Sequence, residues 1–211
     1  EVVSRASRLA PSLEIYDTTL RDGAQSEDVT FSAEDKVRVA QKLDELGVLY
    51  IEGGWPGANP KDIEFFRMIK TVPLKSATVV AFGSTRKASN PVHKDANLHA
   101  LLEAGTGTIT LFGKSWNLHV TDALGISLAK NLEIIEDSIA YLREKGRRVF
   151  YDAEHFFDGY KADPDYALNT LQRAVRAGAE RVMLCDTNGG TMPWEIRHIC
   201  EAVKRECKVP L

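Results

Sequence analysis

The 211-residue chain alternates strand-like and helix-like segments six times, and this repetition constrains its fold more than any other feature. Apolar, β-branched runs are followed by segments in which apolar residues recur at helical spacing. Parallel neighbouring strands need a crossover helix between them, so the serial units predict a parallel sheet. The predicted strand–helix pairs are 13–20 with 31–47, 48–54 with 60–70, 76–83 with 96–103, 107–113 with 128–145, 147–154 with 164–177, and 180–190 with 193–207.

Two α/β architectures fit this pattern, an open doubly wound sheet and a (β/α)8 TIM barrel. No glycine-rich nucleotide-binding turn follows the first strand, whereas polar residues follow several strands, as in barrel enzymes. We therefore expect an incomplete (β/α)8 TIM barrel of about six βα units, with residues 209–211 starting a seventh strand. Residues 1–12 are expected to be an N-terminal extension, and residues 13–211 a catalytic barrel domain truncated at its C-terminal end.

The composition narrows the class of partner. Apolar residues make up 44% of the chain, charged residues 27%, and the net charge is −3, which favours neither a nucleic-acid nor a membrane partner. Three cysteines are too few for a disulfide framework. With no signal-peptide pattern and no apolar run near the ~18 residues of a membrane span, we expect a cytoplasmic protein that acts on small molecules.

The first candidate site is the Arg21–Asp22 pair, which directly follows the first predicted strand. Such a pair is often only a surface ion pair. At the end of a barrel strand, however, the Asp22 carboxylate could bind a divalent cation, and Arg21 could hold a carboxylate or a developing enolate. Gly23 would let the backbone bend closely around the ligand.

Two later strands end in polar residues. In the fifth strand, alternation places Asp152 and Glu154 on one face and His155 on the other, so the two carboxylates are candidates for acid–base chemistry. The sixth strand ends in "CDTNGG", 185–190, which is either a capped turn or a site where Thr187 binds a carboxylate.

The cysteines and the other histidines show no metal-ligand spacing. Cys185 is expected to be a core residue, because nothing nearby in the sequence would lower its pKa. His119 lies in a long polar loop after the fourth strand, which could close over a site. Structural or solvated roles are expected for Cys200, Cys207, His93, His99 and His198.

Four motifs, "DTTLRDGAQ", "IEGGWPGANPKD", "YDAEHFFDGY" and "LCDTNGG", occur in this order along residues 13–211. Together they resemble the metal-dependent acetyl-CoA condensing enzymes, namely isopropylmalate, homocitrate and citramalate synthases, whose wider superfamily includes hydroxymethylglutaryl-CoA lyase. The segments "GGWPGANPKD" and "LFGKSWNLHV" most resemble the citramalate synthase branch.

The resemblance implies a (β/α)8 barrel and a Claisen-type condensation of acetyl-CoA with a 2-oxo acid, followed by thioester hydrolysis. Pyruvate is the 2-oxo acid implied by the citramalate synthase branch. A divalent metal, Mg, Mn or Zn, acts in that family as a Lewis acid on the 2-oxo acid. The resemblance also implies a homodimer in the full-length protein.

The family roles are assigned to matching residues of this sequence. Asp22 is expected to bind the metal, Arg21 to stabilise charge on the enolate or carbonyl, and Glu154 to take part in proton transfer. Thr187 is expected to bind the carboxylate of the 2-oxo acid, and Gln25 to contact the site or a metal-bound water. The other substrate-binding candidates are Asp152, Val80 and Phe82.

One element of the family pattern does not occur in this sequence. The family completes its metal site with a His-x-His pair at the end of the seventh strand, and no such pair occurs in these 211 residues. A fragment of a longer synthase is the simplest hypothesis, and this chain alone is then expected to bind metal weakly and to be inactive. The alternatives are another synthase or a lyase with the same metal site, and a non-catalytic partial-barrel binding module.

Overall fold

A computed structural model describes residues 13–211, and the predicted N-terminal extension, 1–12, lies outside the described residues. Six parallel strands form one sheet in chain order, which confirms the predicted α/β class and parallel sheet. The strands are β1 Tyr16–Asp17, β2 Tyr50–Gly54, β3 Thr78–Ser84, β4 Thr108–Lys114, β5 Arg148–Glu154 and β6 Arg181–Leu184.

Helices connect successive strands, and their ends follow local sequence signals. Ser32 caps the first helix in a capping box with Asp35, and Gly47 ends it with a left-handed φ of 90°. The helices are α1 Ala33–Leu46, α2 Pro60–Ile69, α3 Ala96–Glu103, α4 Leu128–Glu144, α5 Phe156–Ala162, α6 Pro164–Arg176 and α7 Pro193–Glu206.

The sheet curls strongly, as in a barrel. The hydroxyls of Tyr16 in β1 and Thr110 in β4 lie 2.8 Å apart, although three strand spacings in a flat sheet would separate them by about 14 Å. The Arg181 guanidinium, in β6, donates hydrogen bonds of 2.8 Å to Glu14, just before β1. The described strands therefore form an open barrel whose first and last members approach each other.

The core lies mainly between the sheet and its helices. Phe65, Leu101 and Ile135 are fully buried there. A smaller cluster of Tyr50, Val80 and Phe150 fills the inside of the barrel, below the carboxyl ends of the strands. This arrangement covers both faces of the strands, which explains their nearly continuous apolar sequences. No helix within residues 13–211 is long and apolar enough to span a membrane.

The first predicted strand, 13–20, was too long. The carbonyl of Thr18 accepts hydrogen bonds from the N–H groups of Arg21, Asp22 and Gly23, at 3.1, 2.9 and 3.1 Å. This turn withdraws the backbone from strand pairing after Asp17.

The fifth unit contains a helix that we did not predict, α5. His155 adopts a left-handed φ of 52° and turns the chain out of β5. Asp163 then separates α5 from α6 by accepting a hydrogen bond from the N–H of Tyr166 at 3.0 Å.

Two other local expectations differ from the structure. The loop predicted to follow the fourth strand contains a π-helical turn, His119–Ala123. Residues 208–211 form no strand among those described, although the N–H of Val182 donates to the carbonyl of Pro210 at 3.2 Å. The terminal segment therefore lies beside β6 without joining the sheet as a strand.

Candidate active site

A cavity of about 530 Å³ lies at the carboxyl ends of the strands, where barrel enzymes bind their substrates. Seven of the eight predicted site residues line it. Gln25 is one of them, contributed by the short 3₁₀ turn after Asp22. The full lining is Arg21, Asp22, Gln25, Trp55, Phe82, Phe112, Asp152, Glu154, Cys185, Asp186 and Thr187. Of the predicted residues, only Val80 is not in this lining.

Val80 lies elsewhere. It is fully buried in the interior cluster with Tyr50 and Phe150 and is not among the residues that line the cavity. The expectation that it shapes the 2-oxo acid pocket is therefore corrected. Val80 and Phe82 share a strand face, but Val80 lies two residues nearer the amino end of β3, below the cavity.

Arg21 is held by three neighbouring side chains. Its Nε donates to Glu52 at 2.5 Å, and one terminal nitrogen, Nη1, donates to Asp22 at 2.8 Å. Its guanidinium carbon lies 3.8 Å from the centre of the Phe82 ring, a cation–π contact. Asp22 itself is 64% exposed at the side chain, whereas Arg21 is 15% exposed, so this is not the solvated surface pair that the sequence alone allowed.

Glu52 lies below Arg21 in the interior of the barrel and is 1% exposed. Its second oxygen accepts a hydrogen bond of 2.5 Å from the Tyr16 hydroxyl. Burial raises the pKa of Glu52 to about 7, even though Arg21 and the Tyr16 hydroxyl favour its charged form. Burial, with the nearby Glu52 charge, also raises the pKa of Tyr16 well above its ordinary value.

Asp152 and Glu154 both line the cavity, in agreement with strand alternation, but their surroundings differ. Burial raises the pKa of Asp152 to about 6, and the Cys185 thiol donates to it at 3.3 Å. Glu154 instead accepts a hydrogen bond of 2.5 Å from the ammonium group of Lys114. Burial also raises the pKa of the Cys185 thiol, so this cysteine is a poor nucleophile although it reaches the cavity.

Thr187 is positioned by the turn out of β5. Its hydroxyl oxygen accepts a hydrogen bond of 2.9 Å from the N–H of His155, so its own O–H is left to donate to a ligand. Asp186 accepts from both the N–H and the hydroxyl of Thr191, at 3.1 and 2.7 Å. The "CDTNGG" segment is thus a capped turn that also brings Thr187 to the cavity.

His155 follows the end of β5, so its direction is set by its left-handed backbone and not by the strand alternation used in the prediction. Its Nδ1 lies 3.3 Å from Asp158, and its ring centre lies 4.5 Å from that of His119. Burial, together with the neighbouring His155 ring, lowers the pKa of His119. Neither histidine lines the cavity.

Sequence reasoning found only Phe82 in an aromatic wall that also contains Trp55 and Phe112. Phe82 and Phe112 stack with ring centres 5.3 Å apart, and Trp55 meets Phe112 edge-on at 5.3 Å. For Phe112 the signal was the alternation of β4, where Thr108, Thr110, Phe112 and Lys114 share one strand face. Trp55 follows β2 in a loop, and no periodicity pointed to it.

The metal expectation depends on the donor set. Within residues 13–211, no three His, Cys, Asp or Glu side chains are grouped so that they could hold a metal ion. Asp22 has one oxygen engaged by Arg21, so its other oxygen can serve as a single hard ligand. The described residues therefore supply one ligand and do not make a complete metal site.

Comparison with known proteins places the chain in a family. The model of the HMGL-like family matches residues 12–211. An (R)-citramalate synthase of Geobacter sulfurreducens is 56% identical over 94% of this chain and 38% of its own length. An (R)-citramalate synthase of Synechocystis is 58% identical over 92% of this chain and 36% of its own length. A 2-isopropylmalate synthase of Methanocaldococcus jannaschii is 31% identical over 93% of this chain and 36% of its own length.

The chain thus spans little more than a third of the length of these relatives. Among solved structures, the hydroxymethylglutaryl-CoA lyase of Pseudomonas aeruginosa superposes with a TM-score of 0.74 at 24% identity, covering 94% of this chain and 65% of the lyase. The Bacillus subtilis HMG-CoA lyase superposes with a TM-score of 0.76 at 19% identity, covering 94% of this chain and 66% of the lyase. These likenesses support the barrel fold. From the family match and the relatives together, the chain belongs to the HMGL-like family.

Proposed function

We propose that the protein condenses acetyl-CoA with pyruvate to give citramalate, and that residues 13–211 form the larger part of its catalytic barrel. The observation that carries this proposal is the gap in identity between two sets of relatives. The citramalate synthases are 48–58% identical to this chain, whereas the isopropylmalate and homocitrate synthases are 29–32% identical. The convergence of Arg21, Glu154 and Thr187 on one cavity supports the same reaction.

Two residues of this chain are suited to hold the 2-oxo acid. Arg21 has its Nε and Nη1 engaged, and among the described residues its Nη2 has no hydrogen-bond partner and so can donate to an oxygen in the cavity. A fixed donor aimed at the keto oxygen stabilises the negative charge that develops there. The Thr187 hydroxyl can donate to the carboxylate.

Glu154 is proposed to take part in proton transfer. In the reaction, a methyl proton leaves acetyl-CoA, the methyl carbon bonds to the keto carbon, and the keto oxygen gains a proton. Water then cleaves the thioester and releases the CoA thiol. Lys114 holds Glu154 at 2.5 Å, which fixes the carboxylate at the cavity edge where a proton must be received.

A divalent metal is proposed as cofactor, with Asp22 as one ligand and the others supplied from outside the described residues. When bound, such a metal would act as a Lewis acid on the 2-oxo acid. The exposed side chain of Asp22 supports this role.

The reaction is tested on the full-length gene product with acetyl-CoA and a panel of 2-oxo acids, by measuring release of the CoA thiol. We expect the highest kcat/KM with pyruvate, and a loss of at least about 100-fold in Arg21→Ala, as for other donors to developing charge. Arg67→Ala is the matched control, because Arg67 pairs with Glu64 on the exposed side of α2. Absence of thiol release with pyruvate contradicts the proposal, and release with another 2-oxo acid identifies a different synthase.

The metal ligand is tested by calorimetric titration of the same protein with Mn²⁺. Asp22→Asn is expected to weaken binding by at least about 10-fold, because an amide oxygen carries no charge. Asp28→Asn is the control, since Asp28 is exposed on the same loop and asparagine tolerates its φ of 63°. Equal affinities in the two variants would remove Asp22 from the ligand set.

A further inference from the structure

We propose that Tyr16 is a positioning residue, whose hydroxyl orients Glu52 so that Glu52 in turn orients the Arg21 guanidinium toward the cavity. The inference rests on the proposed function, because it concerns the residue assigned to the keto oxygen. Tyr16 lies outside the cavity lining, so any effect it has on the reaction must pass through other side chains.

The direction of each hydrogen bond around Tyr16 follows when Glu52 is ionised. The Tyr16 hydroxyl lies 2.5 Å from Glu52 Oε2 and 2.8 Å from Thr110 Oγ1. A phenol has one proton, and an ionised carboxylate can only accept, so in that state Tyr16 donates to Glu52 and accepts from Thr110. The fully buried Thr110 therefore fixes the phenol from one side while Glu52 fixes it from the other.

Glu52 transmits this arrangement because each of its oxygens has a separate partner. Oε2 accepts from Tyr16, and Oε1 accepts from Arg21 Nε at 2.5 Å. The terminal torsion of a glutamate is broad, so a carboxylate held at one oxygen only can rotate. Loss of the Tyr16 hydroxyl is expected to let the Glu52 carboxylate rotate and to weaken its hydrogen bond with Arg21 Nε.

The ring of Tyr16 has a role that can be separated from its hydroxyl. It packs in the barrel interior with ring centres 6.1 Å from Tyr50 and 6.5 Å from Phe150. Phenylalanine keeps this packing, so Tyr16→Phe removes only the hydrogen bonds. Tyr50→Phe is the matched control, since it deletes a hydroxyl from the same aromatic cluster and leaves both Glu52 hydrogen bonds in place.

The kinetic test uses the full-length gene product with pyruvate varied. Because Arg21 is aimed at charge that appears in the transition state, we expect Tyr16→Phe to lower kcat by about 10-fold or more while the KM for pyruvate changes by less than about 3-fold. Tyr50→Phe is expected to behave as the wild type. In Glu52→Gln the additional Tyr16→Phe change should have no further effect, because the two residues act in series. Additive losses in the double variant, or equal losses in the two phenylalanine variants, overturn the proposal.

A second measurement does not need turnover. In the full-length gene product labelled with ¹⁵N-arginine, the Nε–Hε signal of Arg21 is assigned by its loss in Arg21→Lys. We expect this signal to show a lower order parameter and faster hydrogen exchange in Tyr16→Phe than in Tyr50→Phe. An unchanged signal overturns the positioning role whether or not the wild type is active, while inactivity of the wild type with every 2-oxo acid overturns the proposed function alone.

Discussion

At the scale of single residues, the site contains carboxyl groups in three environments. Burial raises the pKa of Glu52 to about 7 and that of Asp152 to about 6, while Asp22 lies open to solvent. A carboxyl group whose pKa is higher in the folded state binds its proton more tightly there. Its contribution to stability is therefore complete below its unfolded pKa, near 4, and is lost as the pH rises through the folded pKa.

Asp152→Asn is predicted to become more stabilising as the pH rises. Asparagine resembles the protonated carboxyl and does not titrate, so between pH 5 and pH 8 the variant should gain about 1–2 kcal/mol in unfolding free energy relative to the wild type. Urea denaturation at the two pH values measures this difference. A pH-independent difference would mean that Asp152 keeps an ordinary pKa in the folded protein.

The role of the Thr187 hydroxyl can be tested by comparing a variant that lacks the hydroxyl with one that keeps it. Thr187→Val removes the donor proposed for the substrate carboxylate and leaves the N–H of His155 without its acceptor, so the KM for pyruvate should rise by about 10-fold, as for loss of a hydrogen bond to a charged group. Thr187→Ser keeps the hydroxyl and should stay within about 3-fold of the wild type. Steady-state kinetics of the full-length gene product measures both, and equal KM values in the valine and serine variants contradict the role.

The sequence predicted much of this site because barrel strands bring polar residues at their carboxyl ends to one mouth. Arg21, Glu154 and Thr187 lie around one cavity for that reason. Trp55 and Phe112 were not predicted, because aromatic residues in a strand or next to one are usually expected in the core. Their place in the cavity wall depends on how the strands curl, which no local pattern encodes.

At the scale of secondary-structure elements, a buried ion pair joins α1 to α2. The Lys36 ammonium contacts the Asp62 carboxylate and donates to the carbonyl of Gly53 at 3.2 Å. Asp62 also accepts from the N–H of Trp55 at 2.8 Å. The pair therefore ties two helices to the loop that carries Trp55 to the cavity.

Lys36→Met is predicted to lower the unfolding free energy by about 3 kcal/mol. Both partners are 4% exposed, so methionine would leave the Asp62 carboxylate buried without its cation. Lys42→Met is the control on the same helix, because Lys42 pairs with Glu45 in an exposed position and should cost less than about 0.5 kcal/mol. Urea denaturation measures both unfolding free energies. Equal decreases in the two variants would show that the buried pair stabilises the fold no more than the exposed pair does.

The order of elements was predictable, but some of their bounds were not. Strong signals such as Ser32, Gly47 and Pro164 located α1 and the start of α6 correctly. The first strand came out too long because its apolar residues continue into a turn, where Leu20 is fully buried outside any strand. The helix α5 was missed because its start depends on the left-handed backbone of His155, a conformation that sequence seldom announces.

At the scale of the whole molecule, the described strands curl until side chains at the two ends of the sheet come into contact. In a flat sheet, five strand spacings would place β1 and β6 about 24 Å apart. Glu14 and Arg181 instead form a two-pronged ion pair with hydrogen bonds of 2.8 Å. The Arg181 guanidinium also lies 5.6 Å from the Tyr50 ring and 5.3 Å from the Phe150 ring inside the barrel.

This ion pair can form only when the sheet is curved, so the coupling free energy between Glu14 and Arg181 tests the curvature in solution. A double-mutant cycle measures that coupling. With Glu14→Gln, Arg181→Met and the double variant, we expect a coupling free energy of about 0.5–1 kcal/mol at low salt, because the pair is partly exposed but has two-pronged geometry. The coupling should fall in 1 M NaCl, where charges are screened within about 3 Å. The Lys42–Glu45 pair lies within α1, so its coupling is independent of sheet shape. A zero coupling for Glu14–Arg181 beside a measurable one for Lys42–Glu45 would mean that the sheet opens in solution, and the cavity built by its curvature would open with it.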